Sequence, residues 1–450
     1  MIPRARKIRT GLRRSPLSKP RRRPPPQPKR PTPALNALKS AAAEDPSAAL
    51  HHLLSSSNAD YPACASLLYR LARARLFPEL DALLLFIRSR RIPCSNSLFS
   101  ALICHFSLAS LPHKALHLFY SIPSFNCSQG SPSLHTFNHL LDALVSNGCH
   151  DESRCLLDRC SEFGLRANHV SYNVVMKGRL SRDGYDGALQ VFDQMHKRGV
   201  SPSVVTYNML IGAAGRNGEL SKAMGLKEEM VKKGIYPNAV TYAILMKGFC
   251  SSGKYVAAKK LMFDMEYQGC KTQVVNFGVL MSDCGRRSDF DEMKALLAEM
   301  RLRKMKPDDV IYSILINYLC ENGRMDEAYK VLVEMQVKEG CKPSAAVYRM
   351  MVDGFCKVEE FEKGLGILNA MLVSGHCPRL ETFGSLISGL VNGGRMEEVC
   401  FVLEEMVKRK LGLDLEEWHS LVDTACGKCN GSGELFSQLT SMVFVGGDEG

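Results

Sequence analysis

The sequence predicts an all-α fold, a right-handed α-solenoid superhelix of stacked helix-turn-helix repeats of about 35 residues. Three observations carry this expectation. Aromatic residues recur in one register as Phe137, Tyr172, Tyr207, Tyr242, Phe277 and Tyr312, each 35 residues after the last. They continue as Tyr348, Phe383 and Trp418 at intervals of 36, 35 and 35. Methionine holds a second register at Met195, Met230, Met265, Met300, Met335, Met371 and Met406, and glycines and prolines punctuate both. A fixed period of this length marks an array whose units cannot bury their apolar faces alone, so neighbours must stack.

Each unit divides into two helices. The first half, as in Thr206-Tyr207-Asn208-Met209-Leu210-Ile211, carries apolar residues at helical spacing behind a proline and forms helix A. Gly148, Gly218, Gly253, Gly323 and Gly394 supply the left-handed turn that ends it. The second half, helix B, places a small residue where the two helices cross, at Ala188, Ala223, Ala258 and Ala328. It closes on the methionine, which at this spacing fills core space. Pro202, Pro237, Pro307, Pro343 and Pro378 are expected to stop helix B before the next unit.

The chain begins with a different composition. Residues 1–43 hold 13 of the 58 Lys and Arg and no acid, which leaves 45 bases against 46 acids from Glu44 onward. The net charge of +12 therefore belongs to the leader, and the body is balanced. Nine prolines between Met1 and Pro33 exclude a regular helix there. Arg richness without acids matches an organelle transit segment, with a solvated basic tail as the alternative. The expected organisation is a transit segment at 1–43, a linker or capping helix at 44–60, about ten repeats over 61–414, and a degenerate capping repeat and tail at 415–450. The unit boundaries fall at 61–95, 96–133, 134–168, 169–203, 204–238, 239–273, 274–308, 309–344, 345–379 and 380–414, with a Ser/Pro-containing insertion around Ser121–Ser133. The 17 cysteines are odd in number and set in apolar surroundings, which reads as reduced, packed thiols. No run of 18 apolar residues is present, so no membrane span is expected.

Within this frame the stretch Val204-Val205-Thr206-Tyr207-Asn208-Met209-Leu210-Ile211, through Glu228-Glu229-Met230 to Gly234-Ile235-Tyr236-Pro237-Asn238, resembles the pentatricopeptide repeat of the P subclass, land-plant type. The tetratricopeptide array is the nearest structural rival, but its period is 34 and its Trp, Leu-Gly and Tyr signature is missing. The resemblance implies single-stranded RNA as partner, one base per repeat, read by two or three side chains. It implies that the fifth residue of each unit reaches the base edge, that the last residue assists, and that an aliphatic second residue packs on the base plane.

On these positions the implied RNA-binding pairs are Asn138 with Asn168, Asn173 with Ser203, and Asn208 with Asn238. Together they imply a short pyrimidine run with C preferred, the N-terminal repeats facing the RNA 5′ end. Gly278 with Asp308 and Gly384 with Asp414 point toward a purine, and Ser313 with Ser344 is ambiguous. Ala243 with Gln273 and Arg349 with Arg379 match no preference. The stacking position holds His135, Val170, Val205, Val240, Val275 and Val310. Arg216, Arg286 and Lys357 share one position on helix A and are the expected phosphate contacts, with Lys177 and Arg182 nearby.

No catalysis, cofactor, metal or small-molecule substrate is expected. Cys426-Gly427-Lys428-Cys429 with His419 forms only half of a zinc site, and the 36 residues after Asp414 are too few for a deaminase domain. The function expected from the whole is sequence-biased RNA binding in an organelle, acting in transcript stabilisation, processing or translation by occupying RNA. The organelle expected is the mitochondrion, with the chloroplast as alternative. A solenoid scaffold associated with the organellar ribosome or with RNA-processing proteins, reading little base sequence, is the alternative function.

Overall fold

The computed structural model describes residues 45–55, 60–127, 130–337 and 340–409. The expected leader and C-terminal cap, with Asp414, Trp418, His419, Cys426 and Cys429, lie outside the described residues. Among the described residues the structure is helical, and its sole β contact is an isolated bridge between Cys94 and Cys127. The chain forms two compact units that divide between Asn147 and Gly148.

The first unit contains α1 (Pro46–Ser55), α2 (Tyr61–Arg73), α3 (Phe77–Ser89), α4 (Asn96–Leu108), α5 (Pro112–Ser121) and α6 (Leu134–Ser146). The chain between α5 and α6 is pinned to the turn that follows α3. The Cys94 N–H donates to the Asn126 carbonyl at 2.9 Å, and Asn126 Nδ2 donates to the Arg91 carbonyl at 3.1 Å. Phe125 is buried against Phe99, with ring centroids 5.1 Å apart.

The second unit opens with α7 (His150–Asp158), which is shorter than the other second helices of the array and runs on into a 3-10 turn at Cys160–Phe163. The segment α8 (His169–Lys197) is two helices joined without a loop, because Gly184 at φ +68° breaks the helical path between them. A regular series follows: α9 (Val204–Arg216), α10 (Leu220–Lys232), α11 (Ala239–Ser251), α12 (Tyr255–Tyr267), α13 (Val274–Arg286), α14 (Phe290–Leu302), α15 (Asp309–Glu321), α16 (Met325–Val337), α17 (Ala345–Lys357), α18 (Phe361–Val373), α19 (Leu380–Asn392) and α20 (Met396–Lys408). Odd-numbered members from α9 to α19 are A helices, and each packs directly on the next A helix. The B helices of neighbouring repeats touch one another little. The unit is therefore two-layered, with a crowded A layer and a splayed B layer.

The register read from the sequence defines the core. Phe137, Tyr172, Tyr207, Tyr242, Phe277, Tyr312, Tyr348 and Phe383 are buried, as are the seven methionines and the four crossing alanines. Burial of one such large side chain contributes roughly 1.5–3 kcal/mol, so the aromatic and methionine columns supply much of the cohesion between repeats. The described cysteines are free thiols, and burial pushes Cys250, Cys320 and Cys356 up to about 12.

The prolines do not terminate helix B. Helix B ends about five residues earlier, and a left-handed residue just beyond its end closes a Schellman turn: Gly199, Gly234, Gly269, Gly340 and Gly375 have positive φ. The following N–H reaches back to the buried methionine, as from Val200 to the Met195 carbonyl at 3.0 Å and from Ile235 to Met230 at 3.0 Å. Proline instead shapes the extended linker into the next helix A. Lys304 takes the same left-handed turn at φ +56° without the freedom of glycine.

Candidate nucleic-acid interface

Each helix A opens on the last residue of the preceding unit. Asn168, Ser203, Asn238 and Asp308 are N-caps whose side-chain oxygens accept from the backbone N–H three residues on, at 3.1, 3.3, 3.0 and 3.0 Å. Thr206 and Thr241 return the bond to the cap N–H and complete capping boxes. Because Oδ1 of Asn168 and of Asn238 is spent on backbone, their exposed chemistry is the Nδ2 donor. At Asp308 the second carboxylate oxygen is the outward group, an acceptor.

One turn into helix A, the fifth residues differ in how firmly they are held. Asn173 Oδ1 accepts from Thr206 Oγ1 at 2.7 Å, and its Nδ2 donates to Ser203 Oγ at 3.4 Å, so this fifth residue meets its own unit's last residue. Asn208 Oδ1 is shut from solvent with no hydrogen-bond donor. Asn138 lies on α6 of the first unit. Ser313 turns its hydroxyl back onto the Asp309 carbonyl at 2.6 Å. At the second position Val170, Val205, Val240, Val275 and Val310 form a row of valines left 42–57 % exposed on the A layer. About half of each valine's surface is thus left open to a ligand on this layer.

Two adjoining hollows lie along this layer. The first is lined by Lys177, Asn208, Gly212, Gly215, Arg216, Lys247 and Gly248 among others. Three glycines leave its floor as bare backbone, and a Cβ on Gly248 would meet the Gly215 Cα at 3.2 Å. The second is lined by Lys247, Val275, Gly278, Arg286, Asp308 and Val310, which brings Gly278 and Asp308 to one place. Lys247 and Ser251 border both hollows.

The cations of this layer follow a rule that a single register column does not reveal. Position nine of successive units holds Lys177, Gly212, Lys247 and Ser282, and position thirteen holds Ser181, Arg216, Ser251 and Arg286. Each repeat from 169 to 308 thus offers one exposed cation, alternating between two sites one helical turn apart. The sequence reading took Arg216, Arg286 and Lys357 at position thirteen, with Lys177 and Arg182 nearby, and missed Lys247, which the interval of 70 residues from Lys177 could have revealed. Arg216 and Lys247 make no ion pair among the described residues. Arg286 does: its guanidinium sits 3.0 Å from the buried carboxylate of Asp283, which also holds Arg287 at 3.1 Å. Arg182 is tied to Asp151 and so is not a free phosphate contact. After residue 308 the rule lapses, with Asn317 and Glu321 at the two sites and then Asp353 beside Lys357. Burial pushes the Asp353 carboxyl above its ordinary range, and Lys357 and Arg349 oppose that shift.

Comparison with known proteins agrees with this repeat geometry. Sequence patterns of the PPR repeat family match residues 167–214, 202–251 and 307–357, and the PPR repeat pattern matches 135–165, 240–270, 346–376 and 381–411, together more than half of the chain. The chain belongs to the pentatricopeptide repeat family. A mitochondrial pentatricopeptide repeat-containing protein of Arabidopsis thaliana is 45 % identical over 112 residues, 25 % of this chain and 24 % of that protein. A second mitochondrial family member from the same plant is 33 % identical over 112 residues, 25 % of this chain and 23 % of its own length. The chain thus spans about a quarter of the length of these curated relatives. Among solved structures, the pentatricopeptide repeat protein PPR10 from maize superimposes over 91 % of this chain and 69 % of its own, with TM-score 0.42 and 18 % identity. PPR10 in complex with an 18-nucleotide RNA element gives a TM-score of 0.43 at 17 % identity, over the same shares of the two chains.

Proposed function

We propose that this pentatricopeptide repeat protein binds single-stranded RNA along the A layer, one nucleotide per repeat, and acts in a mitochondrion by occupying its transcript. The observation that carries the reading is the coincidence, over residues 169–308, of one exposed valine and one exposed cation per repeat beside an uncovered trough. The valines offer apolar faces to splayed bases, and the cations offer charge to the intervening phosphates. With roughly 1–3 kcal/mol per stacked base, four such repeats give about 4–12 kcal/mol before ordering costs, around the roughly 8 kcal/mol of a micromolar complex, and phosphate contacts add to that.

Asn208 and Asn173 are proposed to differ in base reading. Asn208 lines the first hollow and its amide oxygen, closed off from solvent, has no partner to hold the side chain in place, whereas Asn173 is held by Thr206 and Ser203. Fluorescence anisotropy of the full chain with C-rich, U-rich and A-rich oligonucleotides tests the reading. A pyrimidine preference that Asn208→Asp alters more than Asn173→Asp is expected. Equal binding to all three, abolished alike by salt, removes base reading and leaves only a polyanion surface.

A second reading, a scaffold for protein partners, is favoured by a separate observation. Tyr267, Leu302, Val337 and Val373 end four successive B helices as exposed apolar residues, where Lys197, Lys232 and Lys408 stand in other repeats. Cosedimentation with ribosomal particles that survives nuclease treatment would favour it.

A further inference from the structure

We propose that His135 and His139 on α6 form a binding site for a borderline divalent transition-metal ion, Zn2+ or Cu2+, held by two imidazole nitrogens and completed by water. The site belongs to the first compact unit and does not depend on the RNA reading.

Residues four apart on a helix lie side by side, and here the two rings have come together. His135 Nε2 and His139 Nε2 are 3.1 Å apart, with ring centroids at 4.4 Å and planes at 84°. Imidazole binds Zn2+ at about 2.0–2.1 Å, and two nitrogens at this separation then subtend about 100° at the metal, between the tetrahedral and octahedral angles. For His139 to present a bare Nε2, its proton must sit on Nδ1. That nitrogen lies 3.3 Å from Cys104 Sγ on α4, so sulfur is placed to accept the N–H and fix the tautomer.

The electrostatics around the pair also suit a dication. Asp142, three residues beyond His139, acts electrostatically on both His139 and Cys104 and supplies negative charge.

The donor set selects the metal. Nitrogen ligands suit Zn2+, Cu2+ and Ni2+ and disfavour Mg2+ and Ca2+, which take oxygen. A closed structural zinc site would need four protein ligands, so two define an open and exchangeable site. His135 is exposed, which leaves that site reachable from solvent. In the five repeats that follow, its register position holds valine, from Val170 to Val310, so the histidine stands apart from the valine row.

The test is titration of the full chain with Cu2+–nitrilotriacetate, a chelate with two open coordination positions, read by electron paramagnetic resonance. One tight equivalent with two imidazole nitrogens is expected, displaced by excess Zn2+ but not by Mg2+. His135→Gln and His139→Gln should each weaken it by at least about tenfold, because a two-point attachment becomes one-point. His113→Gln, which breaks the other His-x-x-x-His spacing on α5, should leave it intact. Uptake unchanged by His135→Gln or by His139→Gln, or uptake lost in His113→Gln, would each overturn the assignment. His135 is a surface residue, so the variant's helical circular dichroism should match the parent and make a loss of uptake attributable to the ligand.

Discussion

The two layers of the second unit carry similar side chains and use them differently. On the B layer, cations are paired across repeats: Lys259 with Glu292 and Lys294 with Glu327 at 2.7 Å, Arg301 with Glu334 and Arg395 with Glu362 at 2.8 Å, and Lys363 with Asp326 at 3.0 Å. These pairs tie α12, α14, α16, α18 and the start of α20 together where backbone packing is sparse. On the A layer packing is already dense, and Arg216 and Lys247 face open hollows instead. In a body of near-zero net charge, what distinguishes a polyanion surface is where exposed cations such as Arg216 and Lys247 stand without an ion-pair partner among the described residues.

Reversing the A-layer charges should break that contrast most severely. The triple variant Arg216→Glu, Lys247→Glu and Lys177→Glu is expected to lower RNA affinity by more than about 100-fold while leaving the melting temperature within a degree or two, since exposed charges contribute little to folding. Lys247→Ala alone should flatten the dependence of log affinity on log salt by about 0.7, the share of one phosphate on a single strand. An unchanged slope would place the strand elsewhere. Asp283→Asn asks whether Arg286 can be recruited: it removes the buried counter-charge, and tighter RNA binding with lower stability is expected in paired anisotropy and melting measurements.

Smaller effects are expected from the fold alone. Lys304→Gly should raise stability by about 1 kcal/mol in urea unfolding, because it relieves a left-handed backbone at a non-glycine residue. Glu327 tests the B layer. The hydrogen bond from Lys294, joined by Arg324 and opposed by burial, holds its carboxyl below the ordinary 4.5. A depressed folded-state value means that the stabilisation is present above the unfolded-state value and lost as pH falls through the folded-state value. Glu327→Gln should therefore lower the melting temperature slightly at pH 7, and the difference from the parent should vanish in acid, with RNA binding unchanged throughout.

Much of this architecture was legible in the sequence because it is local and repeated. The columns from Phe137 to Phe383 and from Met195 to Met406 mark buried positions in every unit, and the glycines at 148, 218, 253, 323 and 394 all adopt positive φ. The end of helix B was misassigned to proline because Gly199 and its equivalents stand three residues earlier and do the work through a backbone turn. The pairing of Arg182 with Asp151 joins residues on different helices and is invisible to any single-helix pattern. At Asn173 and Asn208 the sequence offers the same residue, and only packing reveals that one amide is engaged and the other is not. His135 and His139 show a ligand spacing in sequence, but the facing nitrogens and the sulfur behind them belong to the fold.

The cap at the head of each helix A limits the vocabulary of the array. Asn168, Ser203, Asn238 and Asp308 close one repeat while starting the helix of the next, and good caps are few: Asn, Asp, Ser and Thr. A change of residue at this site is thus judged by two criteria at once. Exchanges within the capping alphabet can drift at little thermal cost, whereas stepping outside it sacrifices about 1 kcal/mol per repeat. Arg379 has taken that step, and its helix begins without a side-chain cap. An array rewritten for a new transcript would be expected to change its letters first where the cap is indifferent to the change.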